Sequence, residues 1–275
     1  MNETIKRGIS GIGCVLVTVA GLLVNKYLYA ALVTFMMISM MSEFYRMTMA
    51  NRYRFSRMLA ILAGLVLFAL LFLWSAFSIP LQYLTFAMLP VFIVMVNSLY
   101  VSDKHDFWRF SHIYAGLLYI AVPLALSNLI VFSDNVFNGV LMLCFFVIIW
   151  SSDVGGFVFG VTLGQKFGKK LFPEISPKKS WVGFWGGMFL AVVASIVMKY
   201  LGFLDYPLIH CIILAIVMNV AGVYGDLFES QWKRCYDIKD SGHMIPGHGG
   251  MLDRYDSTLF AVPAGVMYLV LCGLI

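Results

Sequence analysis

Nine stretches of this chain are apolar for long enough to cross a lipid bilayer, and that property excludes most folds before any motif is read. They run at roughly 8–24, 27–45, 58–78, 80–100, 112–132, 136–163, 181–201, 207–226 and 257–275. A helix rises about 1.5 Å per residue, so about 20 residues traverse a hydrocarbon layer about 30 Å thick. The composition agrees: 61% of residues are hydrophobic and 12% charged, against about 25% charged in soluble domains. The expectation is an all-α, polytopic membrane protein of about nine transmembrane helices, with residues 1–275 forming one integral membrane domain. The sixth stretch is too long for a simple crossing and contains Gly155-Gly156, which predicts a break or strong tilt there.

The five cysteines (Cys14, Cys144, Cys211, Cys235, Cys272) form no CxxC pair, and four lie in apolar runs, where they behave as small hydrophobes. Neither a disulfide framework nor a zinc site is indicated. The first run follows Lys6 and Arg7 but lacks a clear cleavage site, so it reads as a retained helix.

Lysine and arginine set the orientation. With the N-terminus cytoplasmic, 17 of the 19 fall on the inner side and only Lys26 and Lys199 lie near the outer face. That distribution follows the positive-inside rule, and the opposite orientation inverts it. Nine crossings then put the C-terminus outside and the charged loops at the cytoplasmic face, where nucleotides are available. The net charge of +5 needs no nucleic-acid partner; basic inner loops suit anionic headgroups of a lipid bilayer. A homo-oligomer is compatible with this reading.

Chemistry concentrates in residues 225–256, which hold 12 of the 38 ionisable side chains. Asp226, Glu229, Ser230 and Lys233 sit at offsets 0, 3, 4 and 7, along one helical face. Carboxylates so arranged can hold a divalent cation through oxygen and leave positions for phosphate oxygens. A solvated, salt-bridged helix end explains the same spacing equally well. Lys239-Asp240 follows, then Pro246 to Gly250 (PGHGG), then Asp253, Arg254 and Asp256. Glycines let a backbone approach a ligand, and a helix start offers N–H groups to an anion. Asp253 and Asp256, three apart, are candidates to complete a metal site with Asp226; ordinary acidic residues in a helix's first turn account for them too, but not for GHGG beside them.

Other candidates lie apart from this cluster. SPKKSW (176–181) offers Lys178 and Lys179 to a triphosphate, although a basic membrane anchor explains it as well. Asp153 lies inside the sixth apolar stretch, and an intramembrane carboxylate is a functional candidate by default; structural pairing with a neighbouring helix is the alternative. His243 and His248 fit hydrogen-bonding spacers more readily than ligands, with His248 favoured for its place in the glycine turn.

Taken together, S-x-x-K-R at 230–234, K-D at 239–240 and P-x-H-G-G-x-x-D-R-x-D at 246–256 resemble the signature of phosphatidate cytidylyltransferases, the CDP-diacylglycerol synthases. Asp153 with its glycines, SPKKSW and GDLFES are similar to family segments in the same order, so the resemblance spans 145–260, the region expected to carry the catalytic motifs. One departure is Val182, where the family often has an acidic residue. The resemblance implies transfer of the cytidylyl group from CTP to phosphatidate, with Mg2+. It implies catalytic roles for Asp226, Lys239, Asp240, Asp253 and Asp256, and metal ligation by Asp153, Asp226, Asp253 and Asp256. Substrate binding falls to Lys178, Lys179, Ser230, Lys233, Arg234, His248, Gly249, Gly250 and Arg254. The setting implied is a bacterial inner membrane with the site facing the cytoplasm. A membrane transferase or kinase acting on an isoprenoid lipid, and a transporter-like or catalytically silent homologue, are the competing readings; the dense charge at the membrane edge favours an enzyme.

Overall fold

The computed structural model describes residues 3–49, 53–100, 104–165, 168–245, 247 and 249–275, with the side chains of 3–9 and 104–106 not described. Apolar composition is converted almost wholly into helix. The elements are α1 (Glu3–Leu23), α2 (Lys26–Met49), α3 (Arg54–Phe77) and α4 (Met88–Leu99), the last entered through a 3-10 turn at Leu81–Ala87. A segmented rod follows: α5 (Ser111–Gly116), a π-turn at Leu117–Ala121, α6 (Val122–Leu126) and α7 (Asn128–Val131). Then come α8 (Val140–Phe159), which ends in a π-turn at Gly160–Gly164, α9 (Trp181–Tyr200), α10 (Leu208–Cys235) and α11 (Leu252–Leu271). Among the described residues, seven helical stretches are long and apolar enough to span a membrane: Lys26–Met49, Arg54–Phe77, Leu81–Leu99, Phe107–Val131, Val140–Gly164, Trp181–Tyr200 and Leu208–Cys235. The protein is an all-α polytopic membrane protein.

The chain divides into two compact units, Met1–Asn138 with Ile238–Arg254, and Gly139–Asp237 with Tyr255–Ile275. The first unit is cored by Tyr29, Phe44, Tyr45, Phe68 and a row of methionines on α2, all buried. Two of its buried hydroxyls find partners, which offsets the cost of burying them. Tyr45 Oη donates to the Ile113 carbonyl at 2.9 Å, and Tyr29 Oη lies 2.6 Å from Ser127 Oγ. A two-residue hairpin, β1 (Phe132–Ser133) against β2 (Val136–Phe137), pairs Phe132 with Phe137. Asp134 and Asn135 take positive φ at its turn, the conformation a tight hairpin requires.

In the second unit the expected break at Gly155-Gly156 does not occur, and α8 runs on to Phe159. The glycines serve close packing instead. A Cβ on Gly155 would meet the Gly186 carbonyl oxygen at 2.5 Å, and one on Gly187 the Ser152 carbonyl oxygen at 2.8 Å, so α8 and α9 pack backbone to backbone. Cys144 and Cys211 are buried with Met198 and Leu204, and all five cysteines are free thiols. The SPKKSW segment is not simply the start of a crossing. Ser176–Ser180 forms β4, antiparallel to β3 (Lys170–Phe172), and Ser180 then caps α9 by accepting from the Gly183 N–H at 3.2 Å.

Candidate active site

Helix α10 continues past position 226, where the apolar run ends, to Cys235, so the polar quartet at its end lies on one face as its spacing requires. Ser230 Oγ donates to Asp226 Oδ1 at 3.3 Å, and Lys233 pairs with Glu229 one turn on. The Glu229 side chain is 1% exposed, so this pair is sheltered from water. From β4, Lys179 Nζ reaches Asp226 Oδ2 at 2.6 Å. Successive side chains on a strand point to opposite faces, so the two lysines cannot both do this. Lys178 is exposed, and its carbonyl accepts from Gln165 Nε2 at 3.0 Å. Arg234, also exposed, binds the Ile175 carbonyl through Nε at 3.4 Å and ties the end of α10 to the β3–β4 connection.

Asp256 joins this group from α11. Gly225 makes that possible: a Cβ there would meet the Asp256 carbonyl oxygen at 2.7 Å, so only glycine lets α10 and α11 approach this closely. Asp256 feels the charges of Asp226, Glu229 and Asp153 together. Asp153, exposed on α8, follows Ser152, whose hydroxyl donates to Asn219 Oδ1 on α10 at 2.6 Å. The second unit thus gathers Asp153, Asp226, Glu229 and Asp256 with Lys179 and Lys233. Acids so placed resist ionising together and favour any cation that can enter. Among the described residues no three acidic, histidine or cysteine side chains form a ready metal cage. Magnesium does not demand one, since it is commonly bound through one or two carboxylates plus substrate phosphates.

The first unit holds the other half of the sequence signature. The loop before α11 closes on itself where the Ile245 N–H donates to the Gly249 carbonyl at 2.9 Å. Gly249 takes φ of 85°, which a side chain would strain. Asp253 Oδ2 accepts from the Gly250 N–H at 2.7 Å, the Ser241 N–H at 2.9 Å and Ser241 Oγ at 3.0 Å. The helix start is therefore not open to a passing anion in the way its sequence suggests. Its next two N–H groups are also taken: Met251 donates to Glu43 Oε1 at 3.0 Å and Leu252 to Glu43 Oε2 at 2.9 Å. Glu43, buried on α2, lies outside every sequence motif. Lys239, Asp240, His243 and Arg254 are exposed in or beside this loop. His248 lies outside the described residues.

Residues 5–272 match the model of a family described as the cytidylyltransferase family. The chain is 36% identical over 217 residues to the phosphatidate cytidylyltransferase of Bacillus subtilis (strain 168), covering 74% of this chain and 76% of the relative. It is 35% identical over 214 residues to the enzyme of that name from Rickettsia bellii, covering 74% of this chain and 87% of the relative. A Staphylococcus epidermidis relative with the same name is 36% identical over 156 residues, or 56% of this chain and 59% of the relative.

Proposed function

The chain belongs to the cytidylyltransferase family, and we propose that it transfers the cytidylyl group from CTP to phosphatidate at the membrane surface. A phosphatidate phosphate oxygen attacks the α-phosphorus of CTP in line; the bond to the bridging oxygen of the β-phosphate breaks, and pyrophosphate leaves as CDP-diacylglycerol forms. The nucleophile is already an anion, so the protein's task is to bring two anionic reactants together rather than to remove a proton.

The observation that carries this reading is the Lys179–Asp226 pair within a group of four acidic side chains. The donor set fits magnesium by chemistry, because hard carboxylate oxygens suit that ion. Asp226 and Asp256 would hold it, with Asp153 and Glu229 setting the surrounding charge. Bound magnesium would screen the two reactants from one another and stabilise charge on the phosphates. Lys179 and Lys233 neutralise phosphate oxygens once the nucleotide enters and draws them from their carboxylate partners; Arg234 and Lys178 add charge at the rim, and Ser230 orients Asp226. In the first unit, Asp253, Gly249 and Gly250 fix the shape of the signature loop, and Lys239, Asp240, His248 and Arg254 are its candidates for substrate contact. The inward bias of lysine and arginine supports placing this chemistry on the cytoplasmic side, and the bacterial relatives support an inner-membrane setting.

The direct test is the full-length protein in mixed micelles with CTP labelled at the α-phosphate. Label is expected in a phosphatidate-derived lipid, with one pyrophosphate released per lipid labelled and dependence on magnesium. Label on an isoprenoid lipid supplied in parallel would redirect the assignment to another acceptor, and ligand binding without pyrophosphate release would remove the transferase.

A further inference from the structure

A carboxylate within an apolar crossing is costly unless its oxygens are met by donors. Glu43 sits on α2 among Met40, Met41 and Phe44, and is 5% exposed. Its donors come from a segment about two hundred residues away in sequence. Oε1 accepts from the Met251 N–H, and Oε2 accepts from the Leu252 N–H and, at 3.3 Å, from Ser241 Oγ. The contact is also shaped to exclude side chains. A Cβ on Gly242 would meet Glu43 Oε1 at 2.7 Å, and a Cβ on Gly250 would collide with Glu43 Oε2.

Two features of α11 make this an ordering contact rather than incidental burial. The first N–H groups of a helix have no partner within it, and the helix dipole concentrates positive charge there, so a buried carboxylate binds that end tightly. The same end carries Asp253, whose Oδ2 holds Gly250 and Ser241. Ser241 Oγ lies within reach of both acids, so Glu43 and Asp253 share the loop between them.

We infer that Glu43 is a positioning residue for the transfer reaction: from within the membrane helix α2 it fixes the signature loop and the start of α11 that bears Asp253. It touches no reacting atom and acts through the Ser241 hydroxyl and the backbone of Met251 and Leu252. This role rests on the proposed cytidylyl transfer.

The test compares wild type, Glu43→Gln and Ser241→Ala as full-length proteins, with turnover normalised to the folded fraction and titrations of CTP and phosphatidate. Glutamine keeps the shape, but its NH2 faces a backbone N–H in either orientation, so the loop loses its anchor while α2 stays apolar. A kcat about tenfold or more below wild type, with both KM values changed less than about threefold, is expected, as for outer-shell partners of a reactive group. A smaller fall of the same kind is expected for Ser241→Ala, which remains the readout if Glu43→Gln does not accumulate. A kcat per folded molecule within twofold of wild type in either folded variant would overturn the role, since a glutamate that only stabilises the fold would change the amount of enzyme and nothing else. Wild type that labels no lipid removes the reaction and this role with it; active wild type with an equally active variant removes the role alone.

Discussion

Asp226→Asn is expected to cut turnover by on the order of a hundredfold or more, to raise the magnesium concentration needed for half-maximal activity, and to leave the folded protein as stable as wild type. The magnitude follows from removing a directly placed charge where phosphate charge develops. Asparagine keeps the size of the side chain and an oxygen for Ser230, so what is lost is charge. The stability half of the expectation follows from the local balance. Four acids, Asp153, Asp226, Glu229 and Asp256, stand with Lys179 and Lys233, and removing one negative charge relieves repulsion as much as it strands Lys179. The Lys179–Asp226 pair is partly solvated, with side chains 24% and 35% exposed, so its own contribution to folding is small. Activity at graded magnesium and a thermal melt in detergent settle both halves. Turnover within about threefold of wild type would take Asp226 out of the site, and a melting temperature that falls in step with activity would make its role structural.

Why some of this was legible from residues alone, and some not, has physical causes. The hydrocarbon layer imposes a length on every crossing, so the apolar runs identify the membrane helices well. It imposes nothing on the chain beyond them, and α10 accordingly runs to Cys235 instead of stopping near 226, sustained by the Ser230–Asp226 and Lys233–Glu229 contacts one turn apart. That quartet was visible because a helix's period is set by its own backbone. Lys178 and Lys179 looked equivalent because the basic anchor gave no hint of strand; in β4 the alternation of side chains sends Lys179 to Asp226 and leaves Lys178 exposed. Glu43 needed only the rule that flagged Asp153, an acid within an apolar run. Its meaning stayed hidden because its partners lie 198 to 209 positions away, a separation no local pattern encodes. The helix start after GHGG drew attention as an anion site for sound reasons, and Glu43 is the anion that occupies it.

Gly155→Ala is expected to destabilise the protein measurably while Gly156→Ala, its neighbour, is tolerated. The two glycines read identically in the sequence. A Cβ on Gly155 would lie 2.5 Å from the Gly186 carbonyl oxygen and 3.0 Å from Gly187 Cα, both backbone atoms that cannot rotate away, whereas one on Gly156 would meet nothing closer than 3.7 Å. Within a bilayer, lipid tails are as apolar as leucine, so helix association depends on such close packing rather than on a hydrophobic drive. Forcing a methyl into the contact costs about 1–3 kcal/mol, while alanine elsewhere in a helix gains up to about 1 kcal/mol over glycine. Gly222→Ala, whose Cβ would sit 3.6 Å from Ser257 Cβ, and Gly13→Ala, with open space around it, should therefore match or exceed wild type. Thermal melts of the four variants in one detergent are the measurement, and a Gly155→Ala protein as stable as Gly156→Ala would refute the packing account. The effect reaches the chemistry as well. Helix α8 carries Asp153 and α9 begins two residues after Lys179, so parting them displaces a carboxylate and a lysine of the acidic group, and Gly155→Ala should lose activity per folded molecule where the other three do not.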